Sequence, residues 1–103
     1  MCGICGIIGS SEEALLSRML RRLVHRGPDE QGLHRESGVT LGARRLRVID
    51  PVGGQQPVQN ETGSVWAVLN GEIYNYRALR QELIERGHRF TSRCDTEVLV
   101  HLY

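Results

Sequence analysis

The tightest constraint on this chain's fold is how the spacing of its apolar residues changes along it. Leu15, Leu16, Met19, Leu20, Leu23 and Val24 recur at helical spacing, and Leu79, Leu83 and Ile84 do so again later. Between the two stripes the helical period disappears. Short apolar segments there are broken every few residues by Gly, Pro, Asn and Asp, which is the pattern of strands joined by turns. The chain therefore predicts a mixed domain in which two amphipathic helices flank short strands. With 103 residues it has room for one small domain with a modest core.

The expected elements follow in order. Ile4 to Ile8 reads as a short buried strand ended by Gly9, with Cys5 a small buried hydrophobe within it. Ser10 and Glu13 have capping-box spacing at the head of the first helix. Arg18, Arg21 and Arg22 occupy that helix's polar face, and Gly27-Pro28-Asp29 terminates it. Residues 32–35 and 39–43 are hairpin arms around Glu36-Ser37-Gly38. Leu46 and Val48 alternate with Arg45 and Arg47 in an extended segment closed by Asp50-Pro51. Residues 52–63 read as a surface loop, 64–69 as a strand, and Asn70-Gly71-Glu72 as the turn at its end. A second helix over 77–86 is stopped by Gly87, and 88–91 returns as a strand. Asp95-Thr96-Glu97 opens a last helix with Val98, Leu99, Leu102 and Tyr103 on one face. That helix carries no stop signal, so the chain reads as the first part of a longer domain.

Composition excludes several classes. Thirteen basic against 12 acidic residues give a net charge of +1, too little for a bulk field aimed at nucleic acid or a membrane surface. All the basic residues are Arg; with no Lys, Schiff-base chemistry and a P-loop lysine are excluded. No apolar run approaches the roughly 20 residues of a membrane span. Three cysteines without secreted-scaffold spacing predict reduced thiols and a cytoplasmic chain.

The chemistry turns on MCGICG. Cys2 and Cys5 make a C-x-x-C, but a structural zinc site wants a second close pair. Cys94 is isolated, and His25, His34, His88 and His101 have no partner at ligand spacing, so no metal site is expected. A redox dithiol normally sits between a strand and a helix, whereas this pair begins the strand. The remaining reading makes Cys2 the first residue once Met1 is removed. An α-amine titrates near about 7.7–8.0, against about 10.4 for a lysine, so it is a usable base held on the same residue as the thiol. Attack on an acyl carbon then needs oxyanion donors, which Asn70 and Gly71 can supply as a side-chain amide and a backbone N–H. Arg45 can clamp a substrate carboxylate.

Five stretches carry a resemblance: MCGICG, HRGPDEQG (25–32), RRLRVID (44–50), NGEIYNY (70–76) and SRCDTEVLVHLY (92–103). Together they resemble the start of the glutamine-dependent asparagine synthase family, which carries a class II glutamine amidotransferase domain. The resemblance implies an α+β fold, the N-terminal-nucleophile hydrolase four-layer α-β-β-α sandwich, with about its first half present in residues 1–103. It implies Cys2 as the nucleophile on the glutamine side-chain amide, releasing ammonia and then glutamate. Asn70 and Gly71 match the oxyanion hole. Arg45 matches the partner of the glutamine α-carboxylate, with Leu46 and Val48 lining the same pocket, and Glu72 and Asp95 match positions facing the α-ammonium. Arg26 and Asp29 of HRGPD read as a structural turn with an ion pair, and Gly3 as leaving room for substrate. No cofactor is implied for this chain. ATP and magnesium belong to a synthetase domain that would use the ammonia on aspartate and that is absent here. The rival expectation is a non-catalytic remnant or binding module with the same fold pattern, or a domain serving a different acceptor.

Overall fold

The computed structural model describes residues 2–10, 12–46 and 54–103. Met1, Arg47, Val48, Asp50, Pro51 and Gly53 lie outside them, and with them the predicted removal of Met1, the far half of the extended segment and the pocket-lining place of Val48.

Three strands, β1 (Gly3–Ile8), β2 (Glu30–Glu36) and β3 (Val39–Arg45), form an antiparallel sheet in the order β1-β3-β2. The two-residue turn at Ser37 and Gly38 pairs Glu36 with Val39 and so fixes the whole β2–β3 register, out to Glu30 opposite Arg45. β1 adds on the other side, with Gly3 opposite Arg44 and Ile8 opposite Val39. The helix α1 (Glu13–Arg22) lies over β1 and β3. Its fully buried Leu16 and Leu20 sit against Gly42, where a Cβ would stand only 3.0 Å from the Leu20 methyls. Burying each leucine stabilises the fold by about 1.5–3 kcal/mol.

A two-stranded ladder, β4 (Val58–Gln59) with β5 (Trp66–Ala67), lies beside β2. Trp66 stacks on His34 with ring centroids 3.5 Å apart, and Gly32 has no side chain because the Gln56 carbonyl occupies that space. The helix α3 (Glu97–Leu102) packs on β4 and β5, and α2 (Tyr76–Glu85) packs on α3. The architecture among the described residues is a small mixed α/β domain with two antiparallel sheets. Among the described residues no helix is long and apolar enough to cross a membrane.

Several expectations change. The capping box does not form: α1 starts at Glu13 itself, and that carboxylate reaches sideways to Arg35 at 3.4 Å. α1 also ends at Arg22, before Gly27, leaving Val24 half exposed. The loop over 54–63 is not wholly a surface loop, since Gly54, Gln56 and Val58 are buried and Val58 belongs to β4. The strand over 64–69 shortens to Trp66–Ala67. Residues 88–91 are not a strand. The His88 N–H closes back on the Leu83 carbonyl and the Gly87 N–H on that of Ile84, capping α2 through Gly87 at φ 96°. On α3 the buried residues are Glu97, Val98, Val100 and His101, whereas Leu102 and Tyr103 face outward.

Candidate active site

Two of the quoted motifs turn out to be one assembly. Gly27 is pressed so closely on the backbone of Arg44 and Arg45 that a Cβ would lie 2.4 Å from the Arg44 carbonyl carbon. The Arg44 guanidinium donates to the carbonyls of Gly27 at 2.8 Å and Pro28 at 3.4 Å, and the Asp29 N–H donates to the Arg45 carbonyl. The HRGPD segment is thereby stitched to the end of β3. From it Arg26 donates through Nε to the Cys2 carbonyl at 3.0 Å. Arg26 thus holds the residue just before β1, with the Cys2 thiol 4.0 Å from the Leu46 carbonyl. The small size of Gly3 has a different cause from the one expected. A Cβ there would stand 3.1 Å from Leu23, so the space is taken by helix packing rather than left for substrate.

Opposite this corner, the chain leaving β5 is fixed by buried polar groups. Gln56 accepts the Leu69 N–H at 2.8 Å and donates to Thr96 Oγ1 at 3.3 Å. Asp95, 5% exposed, accepts the Ile73 N–H through Oδ2 at 2.7 Å. These two side chains bracket residues 70–72 and hold them at the mouth of a cleft. Glu97 in turn accepts the backbone N–H groups of Thr91 and Ser92, both at 2.8 Å, and the Ser92 hydroxyl, which positions the approach to Asp95. Burial pushes the Glu97 carboxyl up, but the donors from Ser92, Thr91 and His101 outweigh it and hold the group below its ordinary range.

The cleft so formed has a volume of about 440 Å³. Cys2, Arg26, Arg45 and Leu46 line one side; Leu69, Asn70, Gly71 and Glu72 line another; Gln56, Cys94, Asp95 and Thr96 complete it. Of the residues singled out in the sequence, Cys2, Arg45, Leu46, Asn70, Gly71, Glu72 and Asp95 are all brought together here, and Val48 lies outside the described residues. Arg45 is 4% exposed and donates through Nη1 to Glu30 at 3.0 Å, an ion pair across the β2–β3 ladder. Burial, its largest influence, raises the Cys94 thiol above its usual range and so disfavours the thiolate. Cys5 is only half-buried, and burial raises its thiol as well.

Sequence reasoning missed Gln56, Thr96 and Glu30. Glu30 was within reach, because a two-residue turn at Ser37 and Gly38 places it directly opposite Arg45. Gln56 carried no signal in its amide-rich stretch.

Residues 1–103 match the family of glutamine amidotransferase domains. Over 108 aligned residues and all of this chain, the nodule glutamine-hydrolyzing asparagine synthetase of Pisum sativum is 43% identical, and the chain covers 18% of it. Glutamine-hydrolyzing asparagine synthetase 3 of Arabidopsis thaliana is 44% identical over the same span and is also covered to 18%. Glutamine-hydrolyzing asparagine synthetase 1 of Bacillus subtilis is 41% identical over 110 residues, with 17% covered. The chain therefore spans less than a fifth of the length of these relatives, and it belongs to the glutamine amidotransferase domain family.

Proposed function

We propose that this chain carries the glutaminase half-reaction, with the side-chain amide of free glutamine as its substrate. The observation that carries this reading is the gathering of a thiol, an amide turn, an arginine and two carboxylates around one cleft of amino-acid size. With Met1 removed, the α-amine of Cys2 takes the thiol proton and Sγ attacks the amide carbon. The negative oxygen of the tetrahedral intermediate is met by the Asn70 side-chain amide and the Gly71 N–H. The proton passes to the leaving nitrogen, ammonia departs, and a γ-glutamyl thioester remains. Water then adds to the thioester, and glutamate leaves with the thiol restored. Arg45, oriented by Glu30, faces the α-carboxylate; Glu72 and Asp95 face the α-ammonium. This charge order selects the free amino acid over a peptide, whose linked ends lack both charges.

The finer fold reading goes with it. The three-stranded sheet under α1 is the beginning of an α-β-β-α sandwich, and the ammonia serves a synthetase domain that amidates aspartate with ATP and magnesium. Three free cysteines suit a reducing, cytoplasmic setting. An electrophilic glutamine analogue tests the assignment. It should add once per chain to Cys2 of protein that has lost Met1, as read by peptide mass, and excess glutamine should protect. Labelling of Cys94 or Cys5 instead, or of Met1-retaining chains equally well, would contradict it and favour a non-catalytic module.

A further inference from the structure

We propose that Glu61, His88 and His101 form a site for one divalent zinc-like ion, sharing no residue with the cleft. The spacing in sequence hides this cluster, because its members come from three elements. Glu61 sits in the turn between β4 and β5, His88 in the cap of α2, and His101 on α3. Folding brings one donor atom from each to within 4.8 Å of the others. His88 Nδ1 lies 3.1 Å from Glu61 Oε1, and His101 Nδ1 lies 2.8 Å from Glu61 Oε2.

The decisive atom is His101 Nδ1. The His101 side chain is fully buried, and its other nitrogen faces Glu97 Oε1 at 3.4 Å. Only Nε2 meets hydrogen-bond geometry, so the ring proton is assigned to Nε2 and Nδ1 presents its lone pair. That lone pair then faces a second acceptor-only group, Glu61, which is a repulsive arrangement unless a cation joins the two. A shared proton is the simplest cation, but it needs the carboxylate oxygen on the N–H axis. The Glu61 oxygen is off that axis: Nδ1 is buried and makes no hydrogen bond despite the short approach. A metal ion accepts its ligands at wide angles instead.

The surroundings match a built site. Glu97 holds the far side of the His101 ring and is itself pinned by Thr91 and Ser92, the arrangement that fixes tautomer and orientation in metal-binding histidines. The Arg89 backbone N–H steadies Glu61 Oε2 at 3.3 Å. Two imidazoles and one carboxylate are a nitrogen–oxygen set suited to zinc, leaving one position for water. Donors at about 2.1 Å around a tetrahedral ion stand about 3.4 Å apart, so a slight opening seats it. Glu61 and His88, with side chains 20% and 31% exposed, have the room to make it. The ion would tie the β4–β5 turn, the α2 cap and α3 together.

Chelator-treated chain titrated with Co2+, followed by displacement with Zn2+, tests this directly. One ion per chain should bind with the visible absorption of a four-coordinate cobalt ion and without thiolate charge transfer. His88→Ala and Glu61→Gln should each weaken it at least about tenfold. In the unsubstituted chain the imidazole nitrogen resonances of His88 and His101 should shift on adding Zn2+, a readout that survives if a variant misfolds. The proposal is overturned by a thiolate charge-transfer band, by affinity indifferent to both substitutions, by no binding at about 1 mM ion, or by unmoved histidine resonances.

Discussion

Under the proposed glutaminase reading Asn70 and Arg45 would divide the chemical work between them, and the division is measurable. If Asn70 supplies an oxyanion donor, Asn70→Ala should lower kcat for glutamine hydrolysis by about 10²–10³ with little change in KM, because the contact exists only in the transition state. Arg45→Lys should do the reverse, raising KM at least about tenfold while kcat changes little, since an ammonium cannot reproduce a fixed planar fork. Steady-state kinetics on both variants checks this. At this scale the sequence is informative where chemistry demands a residue type. Cys2, Arg45, Leu46, Asn70, Gly71, Glu72 and Asp95 are legible, and they share the cleft. It is silent where a polar side chain serves the backbone. Gln56 holds Leu69, and Asp95 holds Ile73 in addition to lining the cleft, through contacts that only folding creates.

Among the elements, the β2–β3 hairpin is the most legible, because its turn sets the register and the register sets the Glu30–Arg45 pair. The caps are the least legible. Ser10 and Glu13 have the right spacing for a capping box, yet local spacing does not fix where a helix begins, and Glu13 goes to Arg35. The short ladder of Val58–Gln59 with Trp66–Ala67 has too few residues to show a period and depends on Trp66 stacking on His34. Two predictions belong here. Gly27→Ala should destabilise the chain by about 2–3 kcal/mol in urea unfolding, since its methyl meets the immovable backbone of β3. Glu97 should give acid-sensitive stability. Its folded carboxyl lies below its unfolded value of about 4.3, so its contribution is complete above that value and is lost as pH falls through the folded one. The stability gap between the parent chain and Glu97→Gln should therefore be full at pH 7 and shrink below about pH 4.3, as measured by unfolding at each pH.

Seen whole, the molecule is asymmetric in how it is covered. α1 and its leucines cover one face of the three-stranded sheet, while the β4–β5 ladder, backed by α3, covers the β2 side of the other. On the β1 edge of that second face Ile4 and Ile8 remain 42% and 91% exposed. The alternation along β1 predicts which residues share a face but not what covers them, so this arrangement was legible only in part. The cleft lies where the two halves meet, with Cys2 just before β1 and Arg45 at the end of β3 on one side, and Asn70 to Glu72 beyond β5 and Asp95 ahead of α3 on the other. The proposed catalysis would therefore draw on both halves, with nucleophilic attack assigned to one atom, Cys2 Sγ. The measurement that bears most directly on this is ammonia and glutamate release from glutamine by the chain with Met1 removed, compared with Cys2→Ala. Release by the parent chain, falling to the uncatalysed rate in Cys2→Ala with the fold unchanged by circular dichroism, is the predicted result. Equal release by the two proteins would contradict it.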